Sequence, residues 1–125
     1  MEVIGYTPED LIDTASDLLS RTDAKSKGIW PRAAAHLCRQ ALEAGLATFW
    51  ANRVPGLEQN SMRAQLACLS VYVDEEDLAG RVGYTWAALS AACHHHVYEL
   101  APGLTELSSW IATTRELLTV TAGRT

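Results

Sequence analysis

Residues 31–54, PRAAAHLCRQALEAGLATFWANRV, decide the fold. Pro31 suits the first turn of a helix, because its missing N–H would have no intrahelical partner there. From Pro31 to Val54 no further proline interrupts the run. Pro55-Gly56 then closes it, since proline disfavours helical geometry in the residue before it. The spacing predicts one long helix with Leu37, Ala41, Ala44, Ala47 and Phe49 toward a core, its alanines permitting close approach of neighbours.

Outward from that helix, apolar residues recur at steps of three and four, and period-two alternation is nearly absent. Thr7-Pro8-Glu9-Asp10 opens an earlier helix carrying Leu11, Ile12, Ala15, Leu18 and Leu19. Thr7 is placed to accept an orphan amide, and the two acids favour the positive helix end. The polar run 22–28 reads as a loop. A third helix is expected over Ser61 to Val73, with Met62, Leu66, Leu69 and Val73 on one face. Asp74 and Asp77 resemble a capping box for a fourth helix through Leu78, Val82, Trp86, Leu89 and Cys93. After Pro102-Gly103, Thr105 is expected to cap a last helix bearing Leu107, Trp110, Ile111, Leu117 and Leu118. Short connections make sequential helices antiparallel neighbours. The expected class is all-α: an up-and-down bundle of four to five antiparallel helices, in one domain spanning residues 1–125.

The 125 residues, 48% of them apolar, suffice for one compact core and not for two ordinary domains. Ten Lys and Arg against fifteen Asp and Glu leave a net charge of -5, so any contact with polyphosphate must be local. Cys38, Cys68 and Cys93 are odd in number and widely spaced, which fits neither a disulfide framework nor a paired Cys-x-x-Cys metal site. The reading is a reducing cytoplasm. The start MEVIGYTPED lacks a basic and then apolar stretch, and apolar runs are short, so neither a signal peptide nor a membrane span is expected.

One cluster stands apart: Cys93-His94-His95-His96-Val97-Tyr98-Glu99, at the expected end of the fourth helix. Consecutive helical residues point about 100° apart, so three adjacent histidines cannot chelate one ion from a helix. His95 with Glu99, or Cys93 with His96, has a spacing that could share a metal, but no second ligand pair appears. No metal or cofactor is expected. A plainer role is helix-end packing, in which imidazoles bond the last carbonyls; the negative end of the helix dipole favours their protonated form, a general acid near neutral pH.

The segment PRAAAHLCRQALEAGLATFW, the short third helix, and a helix ending in histidines before a proline turn and a last helix together resemble a HEPN domain, over roughly Pro31 to Leu118. The resemblance implies a four- to five-helix bundle, often dimeric, many of whose members are metal-independent ribonucleases of bacterial toxin-antitoxin and phage-defence systems. The family's signature is Arg, four to six residues, then His, often followed by one residue and Tyr. His96-Val97-Tyr98 matches the last part. The arginine belongs at position 91, where this chain has Ala91.

By that resemblance His96 is acid or base while an RNA 2′-hydroxyl attacks its own phosphodiester, and Tyr98 positions the phosphate or is the point of nucleotidylation by an antitoxin. His94 and His95 are secondary candidates, and position 91 would hold the phosphate-gripping arginine. With Ala91, activity is expected to be weak or missing. Two accounts fit: divergence to a binding module, or an inactivated form of a toxic ribonuclease, which the crowding of three histidines and a tyrosine favours. The expected partners are RNA, a second copy of the chain, and an antitoxin or nucleotidyltransferase. The alternative is a non-catalytic helical module that binds a nucleotidyltransferase or other protein.

Other residues carry less. Arg32 and Arg39 share a face of the second helix and could contact phosphate, or could be solvated arginines flanking an alanine-rich face. Arg63 reads the same way. Arg81 lies about 20 Å along its helix from His94, too far to replace the missing group in the same chain, although a second subunit could bring an arginine near. Trp30, Trp50, Trp86 and Trp110 read as core or interface packing before base stacking. His36 reads as a packed or surface residue. Ser70, Ser90 and Cys93 lack an oriented histidine for a triad, and no glycine-rich phosphate loop occurs.

Overall fold

The computed structural model describes residues 6–20, 30–94 and 102–123. They form five α-helices: α1 (Pro8–Ser20), α2 (Trp30–Arg53), α3 (Met62–Tyr72), α4 (Leu78–Cys93) and α5 (Leu104–Ala122). Short 3-10 turns at Leu57–Gln59 and Glu75–Asp77 precede α3 and α4. The protein is an all-α bundle, with no strand among the described residues. The expected loop at 22–28 lies outside them.

Helix α2 is the hub, packing on α1, α4 and α5. Its neighbours' directions follow from which residues meet. Arg32 reaches Ala92 whereas Glu43 reaches Trp86, so α2 and α4 are antiparallel. Cys38 meets Thr114 and Gly45 meets Leu118, so α2 and α5 run the same way. Arg81 forks onto Glu116 at 2.8 and 3.0 Å, tying the start of α4 to the far half of α5. Arg115 joins Asp13 of α1 at 2.7 Å. Helices α1, α2, α4 and α5 thus alternate up and down. The shorter α3 packs on α4 and closes the end of α2, where Tyr72 stands edge-on to Phe49 and Trp50 with ring centroids at 6.2 and 5.5 Å.

The buried face of α2 differs from the one expected. Ala34, Ala35, Cys38, Ala41, Leu42, Leu46, Phe49 and Trp50 are buried, while Leu37, Ala44 and Ala47 are only half-buried. With alanines on every side, alanine periodicity sets no direction. The bulky Leu42, Leu46 and Trp50, which hide the most apolar area, turn the helix. The buried arc spans about 180°, because three helices pack on it. Outside α2, Ile12, Ala15, Leu69, Val73, Leu78, Val82, Leu89, Leu107, Trp110, Ile111, Leu117 and Leu118 are buried and complete the core.

Three starts follow capping chemistry. The Asp10 amide donates to Thr7 Oγ1 at 3.0 Å while Asp10 Oδ2 accepts from the Thr7 amide, a reciprocal cap on α1. Ser61 Oγ accepts from the Ala64 amide ahead of α3. Glu106 reaches back to the Gly103 N–H at 3.0 Å, so α5 begins at Leu104 and Thr105 is inside its first turn rather than capping it.

The expected box at Asp74 and Asp77 does not form. Neither side chain caps a helix, and Glu76 and Asp77 both adopt left-handed geometry, with φ of 41° and 59°. Two successive non-glycine residues there cost about 1–2 kcal/mol each. Arg81 offsets part of this by donating from Nε and Nη2 to the Glu76 carbonyl at 3.3 and 3.2 Å.

Candidate functional site at the end of α4

Helix α4 stops where the histidine run starts. The His94 amide still donates to the Ser90 carbonyl at 3.2 Å, but His94 itself is extended (φ -77°, ψ 109°) and exposed. Ala91, at the position where the resemblance would put an arginine, is exposed on the last turn. His95, His96 and Tyr98 lie outside the described residues.

Beside this helix end stands one edge of α2. Arg32, His36, Arg39 and Glu43 follow steps of three and four and fall within about 60° of one another. They occupy the margin of the buried arc, where α2 meets α4. Arg32 Nη1 donates to the Ala92 carbonyl at 3.4 Å. That bond places a permanent positive charge on a carbonyl that the helix leaves without an intrahelical partner, at the negative end of its dipole. His36 is exposed, the surface outcome of the two expected for it.

Farther down the seam, Glu43 Oε2 accepts from Arg39 Nε at 3.0 Å and from Trp86 Nε1 at 2.9 Å. The Arg39 guanidinium carbon lies 5.9 Å from the centre of the Trp86 ring. Its bond to Glu43 is the main reason that Arg39 holds its proton even more tightly than usual, and the Cys93 thiol adds to this. Cys93 is half-buried; burial pushes its thiol up, against the opposing pull of Arg39. The last turn of α4 is therefore bordered by two arginines from α2. Arg39 is committed to a carboxylate, and Arg32 lies at the helix end itself.

The spacing of Arg32 and Arg39 was visible in the sequence, but the helix that their face would meet was not. Trp86 and Glu43 carried no signal, because a tryptophan among apolar residues and a glutamate four residues after an arginine are ordinary features of a bundle. Trp50 and Trp110 are core residues and Trp86 is half-buried, as the packing reading expects; the side chain of Trp30 lies outside the described part. Arg63 is exposed on α3, and Arg81 is occupied by Glu116. The three cysteines are free. Among the described residues no three His, Cys, Asp or Glu side chains gather to hold a metal ion, and no helix is long and apolar enough to cross a membrane.

No family model matches the chain, nor does any curated protein or solved structure.

Proposed function

We propose that this chain is a HEPN-like RNA endonuclease module of a bacterial toxin-antitoxin or phage-defence system, weakened or silent because Ala91 stands where the motif has arginine. One observation carries the reading: α4 ends at the first of three consecutive histidines, and the neighbouring helix sets the Arg32 guanidinium against that end. A cation beside a helix end where an imidazole stands offers two of the groups that metal-free phosphodiester cleavage can use.

In this reading the 2′-oxygen of RNA forms a bond to phosphorus as the P–O5′ bond breaks. The 2′-hydroxyl proton goes to a base, the 5′-oxygen receives one from an acid, and the products are a 2′,3′-cyclic phosphate and a 5′-hydroxyl. His96 is the acid or base. Tyr98 orients the phosphate or is the residue an antitoxin modifies. His94 and His95 assist, and the working form is a cytoplasmic homodimer with its two histidine motifs facing one cleft.

The test is Ala91→Arg, assayed on single-stranded RNA in the presence of a chelator, with and without His96→Ala. Cleavage that leaves cyclic phosphate ends, spares DNA and disappears with His96→Ala supports the reading. An inert Ala91→Arg chain that neither cuts RNA nor arrests growth on expression overturns it. That result favours the second reading, a non-catalytic module that binds a nucleotidyltransferase or other protein, to which the lack of a guanidinium at the exposed position 91 lends weight.

A further inference from the structure

We infer that the hollow between the start of α1 and the last turns of α2 and α5 binds a small organic amine, an ammonium carried on an apolar stem. The inference is independent of the RNA reading. The hollow reaches Asn52, about 30 Å along α2 from Arg32, and shares no residue with the end of α4.

Three packed helices give the hollow its walls. Its volume is about 210 Å³, and Phe49 and Leu118, both nearly buried, give it an apolar floor. A second hollow of about 320 Å³ shares Glu9, Leu118 and Ala122 with it and adds Ile12 for the stem. Ligand sites usually occupy about 300–1,000 Å³, so the space suits a small molecule.

Electrostatics sets the sign of the occupant. Helices α2 and α5 run the same way, so both bring their negative, C-terminal ends here: Asn52 stands in the last turn of α2, Thr121 and Ala122 in that of α5. No basic residue lies in the last turn of α5, and Arg53, in the last turn of α2, lies over the Tyr72 ring of α3. The opposing positive end is that of α1, where Asp10 caps the chain and Glu9 adds a second carboxylate. Glu9 is exposed, and among the described residues its side chain makes no ion pair or hydrogen bond.

The uncharged polar groups are turned to accept as well. Asn52 Nδ2 donates to the Thr48 carbonyl at 3.0 Å, and the Thr121 hydroxyl donates to the Leu117 carbonyl at 2.8 Å. What remains for an occupant is oxygen lone pairs, beside the Glu9 carboxylate. An ammonium supplies three donors and no lone pair, so it matches this set. An anion would meet two negative helix ends and a carboxylate.

The test titrates the full chain with phenethylamine and with phenethyl alcohol, its uncharged counterpart, by isothermal calorimetry. The amine is expected to bind saturably and about tenfold tighter than the alcohol, the scale of one hydrogen bond to a charged group. Glu9→Gln is expected to erase most of that preference. Thr48→Lys, which sets an ammonium on the exposed wall, is expected to abolish amine binding. Asp17→Asn removes the same charge as Glu9→Gln from the other end of α1 and is expected to change nothing.

Equal affinity for amine and alcohol overturns the inference, as does an amine that fails to saturate, or an equal loss in Asp17→Asn. Should a variant fail to fold, amide NMR shifts of the unaltered chain give the same decision. Shifts that centre on Glu9, Thr48, Asn52 and Thr121 when phenethylamine is added support the site, and shifts centred elsewhere end it. The two readings fail separately: an Ala91→Arg chain that cuts no RNA leaves this site standing, and a failed amine titration leaves the nuclease reading untouched.

Discussion

Trp86 donates its indole N–H to Glu43 at 2.9 Å across the seam between α4 and α2. The same carboxylate oxygen accepts from Arg39, so one atom joins three side chains on two helices. Hydrogen bonds to charged groups contribute about 1.5–3 kcal/mol when sheltered, and the partial exposure of Glu43 puts this one at the lower end. Trp86→Phe and Glu43→Gln are each expected to cost about 1 kcal/mol or more in urea denaturation. The pair should cost less than the sum, with a coupling of about 1 kcal/mol. Strict additivity would show that the bond holds nothing together.

Burial makes Cys38 a sensor of alkaline stability. The side chain is fully buried and shares a hydrogen bond with Thr114 at 3.4 Å; desolvation pushes its thiol up to about 11, with Thr114 pulling the other way. In the unfolded chain a cysteine ionises near pH ~8.5. Because the folded value is the higher one, the contribution is whole below about pH 8.5 and falls away as pH rises toward the folded value, by at most about 1.4 kcal/mol per pH unit. Cys38→Ala should be less stable than the unaltered chain at pH 7 by about 1 kcal/mol, and the gap should narrow between pH 8.5 and 10. A gap that stays constant over that interval contradicts the assignment.

At Gly45 the Leu118 side chain of α5 lies so close to α2 that an added Cβ would overlap its Cδ2. Two terms oppose each other in Gly45→Ala. Helix propensity favours alanine by about 1 kcal/mol, whereas displacing a packed leucine costs about 1–3 kcal/mol. Leu118 is only 6% exposed, so the second term should prevail and the melting temperature should fall. In a Leu118→Ala background, where the clash is gone, the same substitution should raise it. A fall of equal size in both backgrounds would mean that Leu118 is not the obstacle.

Helix existence was legible in the sequence because proline, glycine and hydroxyl residues punctuate it at the ends: Thr7-Pro8 and Pro55-Gly56 act where local chemistry places them. Direction of burial was legible wherever large side chains set the stripe, as on α5. It failed on α2, where alanine carries too little area to choose a face and three neighbours leave only half the helix in water. The turn before α4 also misled, because an Asp three residues from another Asp satisfies the capping pattern without adopting its geometry. The left-handed pair Glu76-Asp77 depends on Arg81 from the following helix. At the candidate site the histidines and Ala91 were visible as letters. The approach of Arg32 to this helix end was not, since it meets Ala92 from sixty residues away in the chain.

Helix α2 holds its core side chains and its guanidinium edge on a single unbroken rod of 24 residues. Their phase is therefore common property. One residue inserted between Arg39 and Leu42 would swing every later position by about 100°, parting Glu43 from Trp86 and turning Leu46 and Trp50 out of the interior together. Lineages of this chain should accordingly vary freely in the surface letters of α2 while keeping its length.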